Sequence, residues 1–320
     1  MPLTATDWAK LITDEKGRLM TLGVIEAMAS LRGWPLLNLL PFVPKQGGTY
    51  TANWGSSAAQ AATRAMNSEF TEATPAVSQF AFPMRAAGGQ VKIDINAIAG
   101  DTTGVMRAGL LTQKLTDIGA RLNRLWFKGD KDAVSGAEWH GANEFCADMG
   151  RQIEAGDDGA ALTSAMMDDL LALVPGANVI LANRTLANQI DNLNVGVQKT
   201  VVLNQGTLTP GMFVQSYKGV PILPVDTAPD DTTAAHAQIL PFTETQGEAE
   251  TCSRVTAARI GTDGVYGIHH KIMELFPARR EGAFEYNDLN WFMAGLAMDH
   301  PDSIAQLIGV LAEAPEEEEA

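Results

Sequence analysis

The chain has 320 residues, of which 46% are hydrophobic and 19% are charged, and its formal net charge at pH 7 is −15. This balance predicts a folded protein, with one large domain or two interlocked ones, and it excludes general disorder. This negative charge argues against a dedicated nucleic-acid-binding protein, because neutralising phosphates requires a surplus of Lys and Arg on the contacting face.

Cysteine usage and the first apolar stretch further narrow the classes of protein to which the chain can belong. Cys146 and Cys252 are far apart and form no CxxC pattern, so they indicate neither a disulfide framework nor a zinc knuckle, and a reducing compartment fits best. The apolar stretch at residues 19–31 is interrupted by Glu26 and is shorter than the roughly 20 residues that a spanning helix needs. We expect no signal peptide, no membrane anchor and no membrane partner.

The first segment, residues 1–46, is predicted to be an N-terminal arm. Leu22, Ile25, Met28 and Leu31 recur at helical spacing, and the proline-punctuated sequence WPLLNLLPFVP that follows indicates an extended segment. Such a segment is typical of an arm that lies across other surfaces.

Residues 47–98 are rich in Ala, Ser, Thr and Gly, with the strand-like sequences GGTYTANWG and GGQVKIDINAI at their two ends. A stretch with so few large residues cannot bury a core of its own, so we expect a long two-stranded excursion that leans on a neighbour. Gly88 and Gly89 are expected to bend a hairpin. The candidate anchors of the excursion are Trp54, Phe70, Phe80 and Phe82.

Residues 101–128 carry the strongest periodic signal and predict a long amphipathic helix. Its apolar stripe consists of Leu111, Leu115, Ile118, Leu122 and Leu125. A basic row spaced by seven residues flanks the stripe and consists of Arg107, Lys114, Arg121 and Lys128. The row is either a solvated edge, which is the commoner case, or a set of partners for acidic segments of the arm or of another subunit.

Short helices and strands alternate beyond this helix. The sequence ANEFCADMGRQIEA predicts a helix, and LTSAMMDDLLALVP predicts a second one with a hydroxyl cap at Thr163. NVILAN predicts a buried strand, after which Asn183 can cap the helix RTLANQIDNL. VQSYKGVPILPVD indicates a turn and a strand, and AQILPF and SRVTAARIG predict two more strands.

The end of the chain resembles a long hairpin. GVYGIHHKIMELFPA leads to a charged tip at Arg279, Arg280 and Glu281, and FEYNDLNWFMAGLAMDHP returns from it. Residues 303–311 are expected to finish the fold. The acidic tail, residues 313–320, is expected to be disordered because its like charges repel and little apolar surface holds it.

The chain offers few motifs that carry chemistry. His270 and Glu274 share a strand face but would lie roughly 13 Å apart, too far for one ion, and His269 points to the opposite face. Residues 157–159 begin like a cation loop but lack its further ligands. Phosphate-binding glycine motifs and a nucleophile elbow do not occur. We therefore expect no catalytic residue, no cofactor and no metal, and a metal-dependent enzyme is the weakest alternative.

The order of sequence blocks in the last two thirds of the chain points to a family. LTSAMMDDLLALVPGANVILANRTLANQI precedes GVPILPVDTAPDD, which precedes TAARIGTDGVYGI and the closing FEYNDLNWFMAGLAMDHPDSIAQLIGV. This order resembles the major capsid proteins of tailed bacteriophages, whose HK-type fold is shared with encapsulin nanocompartments. The most specific pieces of the resemblance are the strand GVPILPVD and the closing block, in which aromatic and small residues lead to HP and, by the resemblance, to a final helix.

The resemblance implies an α+β HK-type phage capsid fold with five parts. They are the N-terminal arm at 1–46, an extended β-hairpin loop at 47–100, a peripheral domain with a long spine helix at 101–154 and 266–312, an axial domain at 155–265, and the disordered tail at 313–320. The loop would reach over a neighbouring subunit, the basic row would belong to the spine helix, and the tip Arg279 to Glu281 would meet its copies at threefold sites.

The implied function is structural and not enzymatic. The chain would self-assemble into hexamers and pentamers of an icosahedral shell that encloses phage double-stranded DNA, contacted weakly and non-specifically. It would be located in the virion capsid and assembled in the cytoplasm of the host bacterium. The alternative within the same fold is the shell of an encapsulin-like nanocompartment, although no cargo-peptide groove is identifiable.

Further partners follow from the same resemblance. Only about 45 residues precede the loop, so a scaffolding protein is expected to be a separate chain. A portal is another expected partner, with or without a decoration protein. Covalent cross-linking, known in part of the family, needs a suitably placed loop lysine. Lys92 is the single lysine within residues 47–98 and lies at the base of the loop, so we expect a shell without cross-links.

Overall fold

The computed structural model describes residues 39–55, 63–69, 77–100, 105–133, 136–193, 215–225, 227–229, 236–270, 274–276 and 278–312. The predicted arm helix, Phe70 and the acidic tail lie outside these residues. The described α-helices are α1 (Ile95–Gly100), α2 (Val105–Lys128), α3 (Ala142–Asp148), α4 (Ser164–Leu173) and α5 (Arg184–Leu193). None of the helices in these ranges is both long enough and apolar enough to cross a membrane.

The strands build two large sheets and two small ones. In chain order they are β1 (Phe42–Pro44), β2 (Thr49–Gly55), β3 (Val77–Pro83), β4 (Arg85–Asp94), β5 (Gln152–Glu154), β6 (Ala160–Ala161), β7 (Val179–Ala182), β8 (Ser216–Tyr217), β9 (Val220–Pro224), β10 (Thr227–Pro229), β11 (His236–Gln238), β12 (Glu244–Gln246), β13 (Ala249–Ala258), β14 (Val265–His269), β15 (Glu274–Leu275), β16 (Arg279–Glu281), β17 (Phe284–Met298) and β18 (Ile304–Leu311).

Helix α2 is the long helix that the apolar stripe predicted, and it ends at the predicted residue, Lys128. Leu115, Ile118, Leu122 and Leu125 are each at most 5% exposed, so the stripe forms the buried face of the helix. The helix packs against β4, β10 and α3. Its periodicity therefore predicted both the element and its buried face.

The six-stranded sheet is organised around β17, the longest strand. Its path is β1, β14, β17 and β15, and both β16 and β4 also pair with β17. Strand β4 contains the sequence GGQVKID, which was predicted to be the second strand of the loop, and that prediction is wrong. Val91 and Ile93 of β4 are buried, so pairing with β17 lets this strand bury an apolar face that the loop could not cover.

Two further details of this region differ from the prediction. Gly88 and Gly89 do not bend a hairpin, since both lie inside β4 and pair with Asn290 and Leu289. The sequence that follows β4 forms the short helix α1 instead of continuing the strand. The second strand of the loop is β3, which pairs with β2 from Thr49 opposite Pro83 to Gly55 opposite Val77.

The eight-stranded sheet has the path β5, β18, β13, β7, β9 and β8, with β12 on β13 and β6 on β18. The predicted final helix is wrong, because residues 304–311 form β18 in the middle of this sheet, between β13 and β5. Ile304, Leu307 and Val310 are fully buried. Strand β18, which was expected in the peripheral domain, thus shares a sheet with the segment expected to be axial.

Two helix starts agree with the sequence analysis. The Thr163 hydroxyl accepts a hydrogen bond from Met166 N at 3.3 Å at the start of α4. Asn183 Oδ1 accepts one from Leu186 N at 2.8 Å at the start of α5. Helix α3 is shorter than predicted because strand β5 follows it, and the strand predicted for AQILPF is limited to β11.

Candidate assembly surfaces and the polar cluster beneath the extended loop

The base of the loop, strands β2 and β3, is packed onto the subunit's own core. The Trp54 ring stacks on Phe80 at 5.6 Å between centroids and meets Phe145 of α3 edge-on at 6.0 Å. Trp54 is 6% exposed and Phe82 is fully buried. The expectation that these two rings anchor the loop on another subunit is therefore corrected, because their surfaces are already covered within the chain.

Phe80 is half-buried and closes this aromatic cluster from the outside. Its ring lies edge-on to His140 at 5.1 Å and to Phe145 at 5.4 Å. Farther along the loop, Met66 is 96% exposed and Val77 is 60% exposed. The apolar surface that could face a neighbour is therefore at the distal part of the loop and not at its base.

The basic row of α2 is partly occupied within the chain. Arg121 forms an ion pair with Glu138 at 2.9 Å. The aliphatic part of Lys114 lies against Gly89 so closely that a Cβ there would be 2.1 Å from Lys114 Cε. The side chain of Arg107 is not among the described groups. Arg121 and Lys114 thus brace the helix against its own subunit, which is an alternative that the sequence analysis did not consider.

The hairpin tip carries two ion pairs of different kinds. Arg279 pairs with Glu281 at 3.0 Å, and both side chains are 58% exposed. Arg280 pairs with Glu285 at 3.3 Å, and the Glu285 side chain is only 3% exposed. Arg279 and Glu281 therefore present charge to solvent, whereas Arg280 also neutralises a buried carboxylate of its own hairpin.

A tyrosine and aspartate cluster joins the loop base to the long hairpin. The hydroxyl of Tyr266 on β14 donates to Asp299 Oδ1 at 2.6 Å, and the hydroxyl of Tyr50 on β2 donates to the same oxygen at 3.3 Å. Lys45 Nζ lies 4.3 Å from the centroid of the Tyr50 ring. Burial and the hydrogen bond to Asp299 raise the pKa of Tyr266 well above its usual range.

A second polar cluster lies beneath the loop, where α2 connects to α3. The His140 side chain is fully buried, with Nδ1 3.4 Å from Glu144 Oε2 and Nε2 3.9 Å from Asp148 Oδ2. Lys131 Nζ lies 2.6 Å from Asp148 Oδ2 and 3.0 Å from Glu144 Oε1. Burial lowers the pKa of His140, so the imidazole is neutral at pH 7.

Sequence reasoning missed this cluster. His140, Glu144 and Asp148 follow one another at intervals of four residues, a spacing that was available as a signal. The adjacent pair His269 and His270 was the more conspicuous pattern in the sequence. The structure buries His269 and exposes His270, in agreement with the expected alternation of inward and outward histidines.

The two cysteines are both buried and form no disulfide. Burial raises the pKa of the Cys146 thiol to about 12, and burial also raises the pKa of Cys252. Since the thiolate is the reactive form, both side chains are poor nucleophiles at neutral pH.

Comparison with known proteins identifies the fold of the chain. No family model matches the chain, and no curated protein matches it either. Among solved structures, the encapsulin of the holo-SrpI complex from Synechococcus elongatus is 16% identical, with a TM-score of 0.62 over 89% of this chain and 90% of that chain. The capsid of an empty GTA particle is 12% identical, with a TM-score of 0.57 over 88% and 90%.

A chain from Mycobacterium phage Ogopogo is 12% identical, with a TM-score of 0.53 over 85% of this chain and 91% of that chain. At such identities the likeness concerns the fold, and it extends over most of each chain. The chain therefore has the α+β HK-type fold of phage capsids and encapsulins, as the order of its sequence blocks predicted.

Proposed function

We propose that this chain is the major capsid subunit of a tailed bacteriophage, which self-assembles into an icosahedral shell around double-stranded DNA. The observation that carries the proposal is the HK-type fold over nearly the whole chain, with neighbours that include a GTA capsid. The extended loop adds to it, because its distal residues Met66 and Val77 expose apolar side chains that a second copy could cover.

Shell formation suits the distribution of contacts on this subunit. Contacts between unlike surfaces of identical chains can close into rings, and linked rings give a lattice in which individually weak contacts hold together. The exposed pair Arg279 and Glu281 at the hairpin tip offers a charge-complementary contact of this kind. Trp54 and Phe82 act indirectly, since they hold the base of the loop on its own subunit.

The remaining assignments belong to the same proposal. The loop comprises residues 47–84, with its strands at β2 and β3, and β4 belongs to the peripheral domain together with α2 and the long hairpin. The axial domain comprises residues 155–265, with β5 and β18 added to its sheet. Hexamers and pentamers form the lattice, the net charge of −15 keeps contact with DNA weak, and the shell lacks covalent cross-links.

The same proposal names partners and a location. A separate scaffolding protein directs assembly, a portal occupies one vertex and a decoration protein can bind outside. The shell is assembled in the host cytoplasm and ends in the virion. None of these partners is an enzyme substrate, and the chain acts as a structural protein.

An encapsulin-like nanocompartment is the second candidate function. The specific observation in its favour is the TM-score of 0.62 with the Synechococcus encapsulin, against 0.57 and 0.53 for the GTA and phage chains. The two candidates share self-assembly and differ in cargo, which is DNA for a capsid and protein for a nanocompartment.

Negative-stain electron microscopy with sedimentation velocity on the purified chain tests self-assembly. Hollow icosahedral particles, tubes, pentamers or hexamers support a shell, and a monomer at high concentration, with and without a candidate scaffold, contradicts it. Particles purified from the native source then decide the cargo. Nuclease-protected double-stranded DNA supports the capsid, whereas particles with co-purified protein and no DNA support the nanocompartment.

A further inference from the structure

The cluster beneath the loop has the composition of a metal site. We propose that His140, Glu144 and Asp148 bind a divalent first-row transition-metal ion, with Zn²⁺ as the preferred ion. This inference does not depend on shell formation. It departs from the expectation of no metal, which considered His269, His270 and residues 157–159 only.

The spacing of the donor atoms fits such an ion. One nitrogen of His140 and one oxygen each of Glu144 and Asp148 all lie within 4.8 Å of one another. Ligands bound tetrahedrally at roughly 2.0–2.1 Å lie about 3.3 Å apart. The 3.4 Å separation joins Nδ1 to Glu144 and the 3.9 Å separation joins Nε2 to Asp148, so one ion bound through one nitrogen needs one of the two carboxylates to move closer to that nitrogen. A solvent molecule would complete the coordination.

The state of His140 is the second, independent observation. Its side chain is fully buried, and neither ring nitrogen has a hydrogen-bond partner among the described residues. A buried nitrogen without a partner is costly, and most such atoms in folded proteins are satisfied. A metal ion would satisfy one nitrogen, and this imidazole ligand favours Zn²⁺ and its neighbours over Mg²⁺ or Ca²⁺.

The charge around the cluster also favours a cation. Asp130, Asp132 and Glu144 form a second group of close carboxylates next to the first. Four carboxylates, those of Asp130, Asp132, Glu144 and Asp148, thus lie in this region with the ammonium of Lys131. In addition, Glu144 Oε2 accepts a hydrogen bond from the backbone N of Lys131 at 3.1 Å, which orients the carboxylate toward the site.

Lys131 is the competitor for the site. Its ammonium already contacts Asp148 and Glu144 at 2.6 and 3.0 Å. Its side chain is 28% exposed, so it can turn toward solvent when an ion enters. Metal and ammonium are therefore alternatives, and removing the ammonium must increase metal affinity, whereas a cluster with a purely structural role predicts no such gain.

The expected effect of the ion is structural. His140 lies against Phe80 of β3, and Glu144 and Asp148 belong to α3. An ion held by the three side chains ties the connection between α2 and α3 into one unit and supports the surface on which the loop base rests. Binding should therefore raise the melting temperature of the full-length chain.

The test is a titration of the full-length chain with Co²⁺ at pH 7, followed by visible absorption and by displacement with Zn²⁺. Thermal melting with Zn²⁺ and with EDTA is the second readout. We expect that His140→Gln and Glu144→Gln each weaken Zn²⁺ binding at least about 10-fold, and that Lys131→Met strengthens it several-fold. His300→Gln is the matched control, because His300 and Asp302 form an exposed pair at 3.3 Å, and it should leave binding unchanged.

The possible results of this test either support or overturn the metal site. Co²⁺ absorption that needs His140 and increases in Lys131→Met supports the site. The proposal is overturned if the wild-type chain gives no ligand-field absorption, if His140→Gln binds as tightly as wild type, or if Lys131→Met fails to gain affinity. Because Lys131 is partly exposed, its substitution leaves the fold in place and keeps the test decisive even if the His140 variant misfolds.

Discussion

Gly129 and Gly141 touch through their backbones at the connection between α2 and α3. Gly141 N donates a hydrogen bond to Gly129 O at 2.8 Å. A Cβ on Gly141 would lie 2.5 Å from Gly129 N and 2.8 Å from Phe127 O, both of them backbone atoms that cannot turn aside. This approach closes the connection and places His140 beneath the loop.

Gly141→Ala should consequently be strongly destabilising. We expect a loss of about 2–4 kcal/mol in the free energy of unfolding, because the added methyl must displace backbone. Gly109→Ala is the control, since a Cβ at that exposed position of α2 meets nothing within 4 Å, and it should stabilise the chain by about 0.5–1 kcal/mol. Urea unfolding of both variants checks the prediction, and equal midpoints would contradict it.

The loop can be shortened while both of its described strands are kept. Replacing residues 56–76 by Asn-Gly keeps β2, β3 and the buried rings of Trp54 and Phe82, and it joins the strands by a favourable two-residue turn. We expect a folded chain that does not form shells, because Met66 is lost with the distal segment while the exposed Val77 is kept. Circular dichroism and electron microscopy measure the two properties.

The matched control for the shortened loop is Met66→Leu, which keeps an apolar side chain at the exposed distal position. It should assemble like the wild type. Normal shells from the shortened chain would show that the distal loop is not an assembly contact. A longer deletion that reached Lys92 would remove β4 and unfold the peripheral domain, so it cannot answer this question.

The two arginines of the hairpin tip should differ in what they do. Arg279→Glu should change the free energy of unfolding by less than about 0.5 kcal/mol, because its pair with Glu281 is exposed. It should nevertheless impair shell assembly if the tip meets its copies. Arg280→Glu should also destabilise the monomer by about 1 kcal/mol, because it places a carboxylate beside the buried Glu285.

Urea unfolding and sedimentation of the two single variants separate these effects. Unimpaired assembly of the folded Arg279→Glu chain would remove the tip from the set of contacts. Equal stability of the two variants would contradict the different roles of the arginines within the hairpin.

Gln306 on β18 is the centre of a buried polar network. Its Nε2 donates to Asn143 Oδ1 at 2.7 Å and to Thr256 Oγ1 at 3.1 Å, and its Oε1 accepts from Arg254 Nη1 at 3.1 Å. Gln306→Met should lower the free energy of unfolding by about 2–4 kcal/mol, because it leaves these buried partners without their hydrogen bonds. Gln238→Met, at an exposed position, is the control in the same urea experiment. A small effect at Gln306 would mean that water replaces its bonds.

Tyr266 should make stability depend on alkaline pH. Its folded-state pKa is raised by burial and by Asp299, so its contribution is complete below the unfolded value of about 10 and is lost as the pH rises above it. The stability difference between wild type and Tyr266→Phe should be constant from pH 7 to about 9.5 and should shrink at higher pH. Tyr286→Phe serves as the control, and a pH-independent difference would contradict the assignment.

Local patterns in the sequence determined a large part of the fold. The stripe of α2, the cap residues Thr163 and Asn183, and the strand at Val179–Ala182 are each defined by neighbours within a few positions. Periodicity and capping depend on short-range geometry, so they can be recognised without the rest of the chain. The order of such blocks was also enough to predict the HK-type fold.

Only the tertiary structure decided which strands pair and which side chains meet. The pairing of β4 with β17, the strand form of β18, the burial of Trp54 and the contact of Lys131 with Asp148 all join distant segments or depend on how a loop closes. A short apolar run fits a strand or a helix equally well, and an aromatic ring on a loop fits either its own core or a neighbour's. The choice is made by the partner that covers the surface, and that partner is a property of the assembled fold.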